Sequence, residues 1–321
     1  MSPDGVNTNL GKVDSPIDLT TALTKDEITI VMMDGIYEHD GFALADNLSL
    51  VADINSKPII VGTDGFPPDI TVGSNCIIDG IFIGGSKEEI HGFVNFTGQN
   101  STIQNCTFWG FGQLMGGVAV NNTIKNNRFV NNGVGALDHD IYINDSTVSP
   151  LNTLIQENIH IGGEGYKIHL YHNPEGVTIH ANFMGGSIIS DLAVQQNTHT
   201  ITNNILWDAD YQYWNAGTCV FNKNIIGVDR VAFTDIIAWA ETNTADGNVF
   251  ANGQTEFGTN PVAWVEADIE TNLGYSKAVI DAAIQSLITK FQQTTQQIYD
   301  DATIEADFTI FKNIIDTWKG H

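Results

Sequence analysis

Histidines are concentrated in one part of this 321-residue chain, because five of its nine histidines lie between residues 139 and 180. These five are His139, His160, His169, His172 and His180. One lysine, three tyrosines and two aspartates lie among them. Histidine changes its charge near neutral pH, and carboxylates and phenols can orient it or exchange protons with it. The segment therefore predicts acid–base chemistry, provided that the backbone brings these residues together.

Three short segments of alternating apolar and polar residues, 140–144, 167–171 and 191–195, carry most of these groups. Successive side chains of a strand face opposite sides, so the apolar residues of each segment would face a core. Stacking the segments as neighbouring strands then predicts three outward columns. The columns are Asp140, Lys167 and Asp191; Tyr142, His169 and Ala193; and Asn144, Tyr171 and Gln195.

The columns would place a base and a proton relay side by side. Lys167, His169 or a tyrosinate could remove a proton, and Tyr142 or Tyr171 could relay one. Lys167 would lie between two carboxylates. The same column is also typical of a solvated sheet face that pairs charges between strands, and this structural interpretation stays open.

Asp140 and Asp191 have three candidate roles. They could orient the base, protonate a leaving oxygen, or bind Ca²⁺. Two coils apart, their Cα atoms would be about 10 Å apart. Inverting hydrolysis is therefore a second interpretation, since inverting glycosidases hold two carboxyls at a similar separation.

Residues next to the columns are expected to bind a substrate. Trp207, Tyr211, Tyr213 and Trp214 crowd the next segment, and flat aromatic rings stack on sugar faces. The predicted binding residues are His139, Asn144, His172, Gln195, Tyr211 and Trp214. His160 lies at an apolar position of its segment and is expected to be a hydrogen-bonded core residue.

A repeat predicts the elements that position these residues. A six-residue pattern recurs seven times between residues 103 and 250. It consists of a bulky apolar residue, any two residues, a central residue that is usually Asn, any one residue and a second bulky apolar residue. The central residues are Cys106, Asn127, Asn158, Asn182, Asn204, Asn224 and Asn248. Their spacing of 20–31 residues is that of a solenoid, and the alternation of the flanking residues indicates strands. We expect a parallel β-helix of eight to ten coils.

The central asparagines are expected to form a ladder at a tight corner. Asparagine tolerates the left-handed backbone region, and its amide can bond to the amide of the next coil. We expect Gly80 to fill the same corner one coil earlier, because glycine adopts a positive φ at no cost.

The pattern changes on either side of the repeat. Residues 1–45 are expected to form an N-terminal arm and cap, since the end of a solenoid must be covered, and residues 46–262 the β-helix. Residues 263–321 show apolar residues at helical spacing, which predicts two helices. The helices are interpreted either as a lid on the last coil or as an oligomerisation element, which in a spike-like protein would form a trimer.

Composition excludes some partners. The chain has 38 acidic and 13 basic residues, a formal net charge of −25, which argues against nucleic acid or an anionic membrane. No apolar run reaches transmembrane length, and the start lacks the features of a secretory signal. We expect export by another route or removal of a signal.

The ladder, the coil length and the opening residues 19–37 resemble right-handed parallel β-helix proteins of the pectate-lyase-like superfamily, over about residues 17–260. The resemblance implies an all-β fold and an extracellular or virion-associated protein that acts on polysaccharide. Members of the superfamily are mostly polysaccharide lyases, epimerases and glycoside hydrolases, along with viral tail spikes. We expect here a lyase acting by β-elimination on an outward sheet face, with Ca²⁺ as the one expected cofactor. The alternatives are an inverting glycoside hydrolase and a non-catalytic adhesin or tail spike. Lyases of this kind often use arginine against the uronate carboxylate, yet the chain has only Arg128 and Arg230, on other parts of their coils.

Overall fold

The computed structural model of the chain is a parallel β-solenoid with a helical C-terminal segment. It describes residues 18–25, 28–85, 92–112, 116–117, 120–133, 135, 138–145, 151–172, 174–186, 192–195, 198–207, 211–214, 219–227, 246–250 and 259–321.

Two long sheets run along the solenoid, and all their strand pairs are parallel. Sheet 1 consists of β1 (Thr29–Met32), β4 (Ser49–Ala52), β7 (Ile77–Asp79), β10 (Thr102–Gln104), β13 (Thr123–Lys125), β16 (Leu154–Gln156), β19 (Thr178–His180), β22 (Thr200–Thr202) and β25 (Val220–Asn222). Sheet 2 consists of β2 (Gly35–Glu38), β5 (Pro58–Val61), β8 (Phe82–Gly84), β11 (Thr107–Trp109), β14 (Arg128–Val130), β17 (Ile159–Ile161), β20 (Phe183–Gly185), β23 (Ile205–Leu206), β26 (Ile225–Ile226), β27 (Val249–Phe250) and β28 (Val262–Ala263).

Two shorter sheets form the third side of the coils. Sheet 3 consists of β3 (Gly41–Leu44), β6 (Asp69–Val72), β9 (Val94–Phe96) and β12 (Gly116–Gly117). Sheet 4 consists of β15 (His139–Asp145), β18 (Tyr166–His172), β21 (Leu192–Gln195) and β24 (Tyr211–Trp214). Strand β12 lies against β15, so sheet 4 continues the side that sheet 3 begins.

The coils stack in register around a continuous apolar core. Ile103 pairs with Ile124, Ile124 with Ile155, and Ile155 with Ile179, and all four side chains are fully buried. Residues far apart in the sequence are therefore vertical neighbours at the spacing of a sheet.

The predicted asparagine ladder is confirmed between sheets 1 and 2. The backbone N–H of Asn158 donates to Oδ1 of Asn182 at 2.9 Å, and its Nδ2 atom donates to the same oxygen at 3.0 Å. Its Nδ2 atom also donates to the carbonyl of Ile124 at 2.9 Å. The same bond pattern recurs from Asn127 to Asn248. Each amide thus satisfies buried backbone groups of its neighbours.

The left-handed residue of the corner precedes the ladder residue, which corrects the sequence-based prediction. Positive φ angles occur at Asn105 (55°), Asn126 (54°), Glu157 (55°) and Ala181 (55°), one position before the central residues. Gly80, with φ 76°, takes this preceding position, as expected for glycine but not in the ladder itself.

Five helices flank the solenoid in the described residues. They are α1 (Leu19–Leu23), α2 (Glu266–Leu273), α3 (Lys277–Lys290), α4 (Thr295–Asp300) and α5 (Ile304–Trp318). Leu19 and Ala22 of α1 are buried against the core at the start of the solenoid, as a cap requires. None of these helices is long and apolar enough to cross a membrane.

The C-terminal helices lie along the outer face of sheet 2. Phe311 of α5 packs on Phe183 of β20, with ring centroids 4.6 Å apart. At one end, the Lys57 ammonium donates to the carbonyl of Ile298 at 2.7 Å. At the other end, Nε1 of Trp318 donates to the carbonyl of Lys223 at 2.9 Å. Sheet 2 has bulky apolar residues on both faces, so its outer face needs this cover.

Candidate functional site

The register of sheet 4 confirms three of the predicted pairings. Tyr142 of β15 pairs with His169 of β18, Asn144 pairs with Tyr171, and His169 pairs with Ala193 of β21. Ile143 and the other apolar residues between them are fully buried, whereas Asn144 is exposed. The outward face of β15 and β18 is therefore formed by the predicted aromatic and polar residues.

Asp140 and Lys167 are buried, which corrects the prediction that they face outward. Their side chains are 2% and 1% exposed. Oδ2 of Asp140 accepts a hydrogen bond from Nδ1 of His160 at 3.0 Å, and His160 is fully buried. The strict alternation assumed from the sequence fails at the first residues of β15 and β18, where the chain enters sheet 4 from the corner.

Lys167 lies under the face, near the tight corner that precedes β18. Its Nζ atom lies 3.2 Å from where a Cβ atom of Gly163 would be, and Gly163 has a φ of 86°. Burial lowers the pKa of His160, the hydrogen bond that His160 donates to Asp140 raises it, and the Lys167 charge lowers it. Asp140, His160 and Lys167 thus form a buried polar group behind the outward face. His160 is a hydrogen-bonded core residue, as predicted.

The outward face carries a compact group of rings, here called the histidine–tyrosine cluster: His139, Tyr142, Tyr166, His169 and Tyr171. Nε2 of His139 and Nδ1 of His169 are 3.2 Å apart, which is hydrogen-bond distance. The His169 ring centroid is 5.4 Å from that of Tyr142, 4.9 Å from that of Tyr166 and 5.4 Å from that of Tyr171. The cluster therefore holds two imidazoles inside a ring of three phenols.

Burial sets the protonation of the cluster. It lowers the pKa of His139 to about 3, an effect to which His169 adds, and it lowers the pKa of His169 to about 4. Burial also raises the pKa of Tyr142, as does the neighbouring Tyr171, and burial raises the pKa of Tyr166. At neutral pH both imidazoles are unprotonated and both tyrosines carry their protons. His139 and His169 are thus uncharged bases, and Tyr142 and Tyr166 are uncharged proton donors.

Other predicted site residues are only partly described. His172 pairs with Asp145, Gln195 pairs with Trp214, and Tyr211 pairs with Leu192, but only their backbone is described. Asp191 lies outside the described residues.

Tyr166 is the member of the cluster that the sequence did not predict. It precedes Lys167, and strict alternation with Ile168 would turn it toward the core. Instead it pairs with His139, and their ring centroids are 5.3 Å apart. The nearby histidines and tyrosines in the sequence indicated a site in this region. Tyr166 becomes a neighbour of His169 only because the alternation breaks at the start of β18.

The expected calcium site is only half described, because Asp191 lies outside the described residues. Ca²⁺ takes six to eight oxygen ligands from carboxylates, carbonyls and water. Asp140 is buried and bonded to His160, and within the described part of the chain no group of three or more His, Cys, Asp or Glu could hold a metal ion.

Arg128 lies on a different side of the solenoid, as predicted. Its guanidinium donates to Glu305 of α5 through Nη1 at 2.5 Å and Nη2 at 2.7 Å. Arg230 lies outside the described residues. Within those residues, therefore, no arginine faces the histidine–tyrosine cluster.

Comparison with solved structures finds similar folds. The chain is similar to pectate lyase Pel9A, with a TM-score of 0.51 and 12% identity over 83% of this chain and 78% of that chain. The fold is a right-handed parallel β-helix of the pectate-lyase-like type. A rhamnogalacturonan lyase is similar with a TM-score of 0.50 and 15% identity, over 78% of this β-helix and 73% of that chain. No family model and no curated protein matches the sequence of this β-helix.

Proposed function

We propose that this protein is a polysaccharide-degrading enzyme that acts by β-elimination at the histidine–tyrosine cluster. The observation that carries the proposal is the pair of unprotonated imidazoles, 3.2 Å apart, within a ring of tyrosines on an outward sheet face. The two similar folds are those of a pectate lyase and a rhamnogalacturonan lyase, which supports a polymeric sugar as the substrate.

In the proposed reaction His169 is the base. It takes the proton from the sugar carbon next to the uronate carboxyl, and the C–H electrons form a carbon–carbon double bond. The glycosidic C–O bond breaks as a result, and the leaving oxygen takes a proton from Tyr142 or Tyr171. The hydrogen bond between His139 and His169 fixes the orientation of the His169 ring before substrate binds.

Lys167 and Asp140 have no direct part in this reaction, because the Asp140 carboxyl is bonded to His160 in the core and Lys167 lies beneath the ring cluster. The proposal also uses no calcium step, since the Asp140 carboxyl is already bonded to His160. Half-buried Tyr142, Tyr166 and Tyr171 offer ring faces and hydroxyls to a sugar, and exposed Asn144 offers an amide. Recognition would therefore rest on stacking and on neutral hydrogen bonds.

Glycan binding without cleavage is the second candidate function. One observation favours it: neither imidazole of the cluster carries a charge that would neutralise a uronate carboxylate. A non-catalytic adhesin needs only the aromatic surface and the amide, and would leave the histidines without a chemical task.

A panel of acidic and neutral polysaccharides separates these functions. β-Elimination yields an unsaturated product that absorbs in the ultraviolet, hydrolysis yields reducing ends without it, and an adhesin yields neither. We expect unsaturated product from the wild type and none from His169→Ala. His180→Ala is the matched control, because His180 lies on sheet 1 and bonds to Thr202 at 2.9 Å. Binding with no product from any glycan would support the adhesin and reject the lyase.

A further inference from the structure

His160 occupies a position that bulky apolar residues fill in the neighbouring coils. It pairs with Phe129 below and Met184 above, and the same column holds Phe108 and Leu206. Its ring is fully buried and stacks on Phe129, with centroids 4.6 Å apart and planes 17° apart. A polar ring in such a column costs free energy unless its nitrogens are bonded.

Within the described part of the chain, the polar side-chain contact that compensates for this burial is with Asp140. Nδ1 of His160 donates to Oδ2 of Asp140 at 3.0 Å, whereas Nε2 of His160 has no hydrogen-bond partner among the described residues. The contact crosses the interior from sheet 2 to the first residues of β15 in sheet 4. It therefore ties the start of β15 to the core.

This tie coincides with the break in alternation. Asp140 has the parity of outward Tyr142 and Asn144, yet its carboxyl reaches the interior. His139 has the parity of buried Ile141, yet its ring lies 5.0 Å from Tyr142 and 4.7 Å from His169. Because adjacent residues of a strand face opposite sides, turning Asp140 inward turns His139 outward.

We propose that His160 is a positioning residue: by holding Asp140 in the core, it presents His139 to His169 in the histidine–tyrosine cluster. The structural part of this inference stands on geometry alone, and its catalytic consequence rests on the proposed function. His160 touches no substrate and acts through Asp140 and His139.

Two variants of His160 separate positioning from packing. His160→Phe keeps a ring that stacks on Phe129 but has no donor for Asp140. His160→Asn loses the ring but keeps an amide nitrogen close to the position of Nδ1. If His160 only fills the core, the Asn variant suffers more in every measurement. If it positions His139, the order is reversed.

The readout is proton NMR of the imidazole and phenol rings, which needs no substrate. The wild type should show nuclear Overhauser contacts from the His139 ring to the Tyr142 and His169 rings. We expect these contacts to disappear in His160→Phe and to remain in His160→Asn. Met184→Leu, a volume-conserving change one coil away in the same column, should retain them. Retention of the contacts in a folded His160→Phe protein would overturn the proposal.

A second variant covers the case in which His160→Phe does not fold. Asp140→Ala removes the acceptor and leaves the His160 ring in its stack, and it should also release His139 from His169. Where a cleaved glycan is known, kcat should fall by about a hundredfold in His160→Phe or Asp140→Ala, with a much smaller change in KM. If the variants lose the ring contacts but the wild type cleaves no glycan, the lyase is rejected and the positioning role is kept. Unchanged ring contacts in Asp140→Ala would reject the positioning role.

Discussion

Nε2 of His139 lies 3.2 Å from Nδ1 of His169, although the two residues are 30 positions apart in the sequence. The pair forms because β15 and β18 stack in parallel and because the first residues of both strands reverse the expected alternation. Neighbouring imidazoles of this kind share one hydrogen bond only while at least one ring nitrogen is unprotonated. The pair therefore links the geometry of the coil to the protonation state of the site.

The acid limb of the activity should report the lowered pKa of His169. Burial lowers this pKa to about 4, so the base stays unprotonated down to about that pH. We expect kcat/KM for glycan cleavage to be flat from neutral pH and to fall only below about pH 5. A pH–rate profile that falls near pH 6.5 would show that His169 is not the base.

Stability should depend on pH between about 4 and 6.5 because of the same pair. The folded-state pKa values of His139 and His169 lie below the ordinary value of 6.5. Above pH 6.5 these two histidines take up no proton in the folded or the unfolded protein. Below pH 6.5 they are protonated first in the unfolded protein, so the free energy of unfolding decreases as the pH falls. The slope should reach about 1.4 kcal/mol per pH unit for each histidine. Urea titrations at several pH values measure it, and His169→Gln should reduce it; an equal slope in that variant would contradict the assignment.

The ladder should contribute strongly to stability. Asn158→Ala removes the acceptor of the Asn127 N–H and the donor to the Ile124 carbonyl, all in the core. We expect a loss of about 2–4 kcal/mol in the free energy of unfolding, measured by denaturant titration. Asn95→Ala, at an exposed position of β9, should change it by less than about 0.5 kcal/mol. Similar losses in the two variants would mean that the ladder is not a main source of stability.

The C-terminal helices should be part of the folded unit. Phe311 is fully buried and packs on Phe183, so Phe311→Ala should cost about 3–5 kcal/mol and lower the Tm. Lys312→Ala, whose side chain is 67% exposed, is the neighbouring control and should change stability by less than about 0.5 kcal/mol. A Tm for Phe311→Ala equal to that of the control would indicate that the helices detach independently of the solenoid.

The sequence predicts the fold well because its main signal is local and repeated. The spacing of Asn127, Asn158 and Asn182 indicates the coil, and the flanking isoleucines indicate the inward face. The one-residue error at the corner has a simple cause. Asparagine suits both the left-handed position and the ladder, and doublets such as 126–127 and 203–204 contain one asparagine for each role.

The candidate site is harder to predict because it depends on a long-range contact. A period-two pattern applied to residues 139–144 turns Asp140 outward and His139 inward. The opposite arrangement arises from a hydrogen bond to His160, which belongs to another sheet. Nothing in the local sequence of β15 signals that bond, although a histidine in an otherwise apolar column could have done so. The covering of sheet 2 was missed for a similar reason, since helical periodicity shows an apolar face but not what it packs on.

The fastening of the last helices to the first coils has a consequence for how this solenoid can vary. Tyr299 donates to Asp34 at 2.6 Å across 265 residues, and Trp318 of the adjoining helix contacts Lys223 near the opposite end. Adding or deleting one coil between these anchor points would displace one from the other by about 4.8 Å. The helical segment has a fixed length, so the distance between its two anchor contacts fixes the number of coils that lie beneath it. A stack of repeats that could otherwise grow or shrink by single units is held to one size.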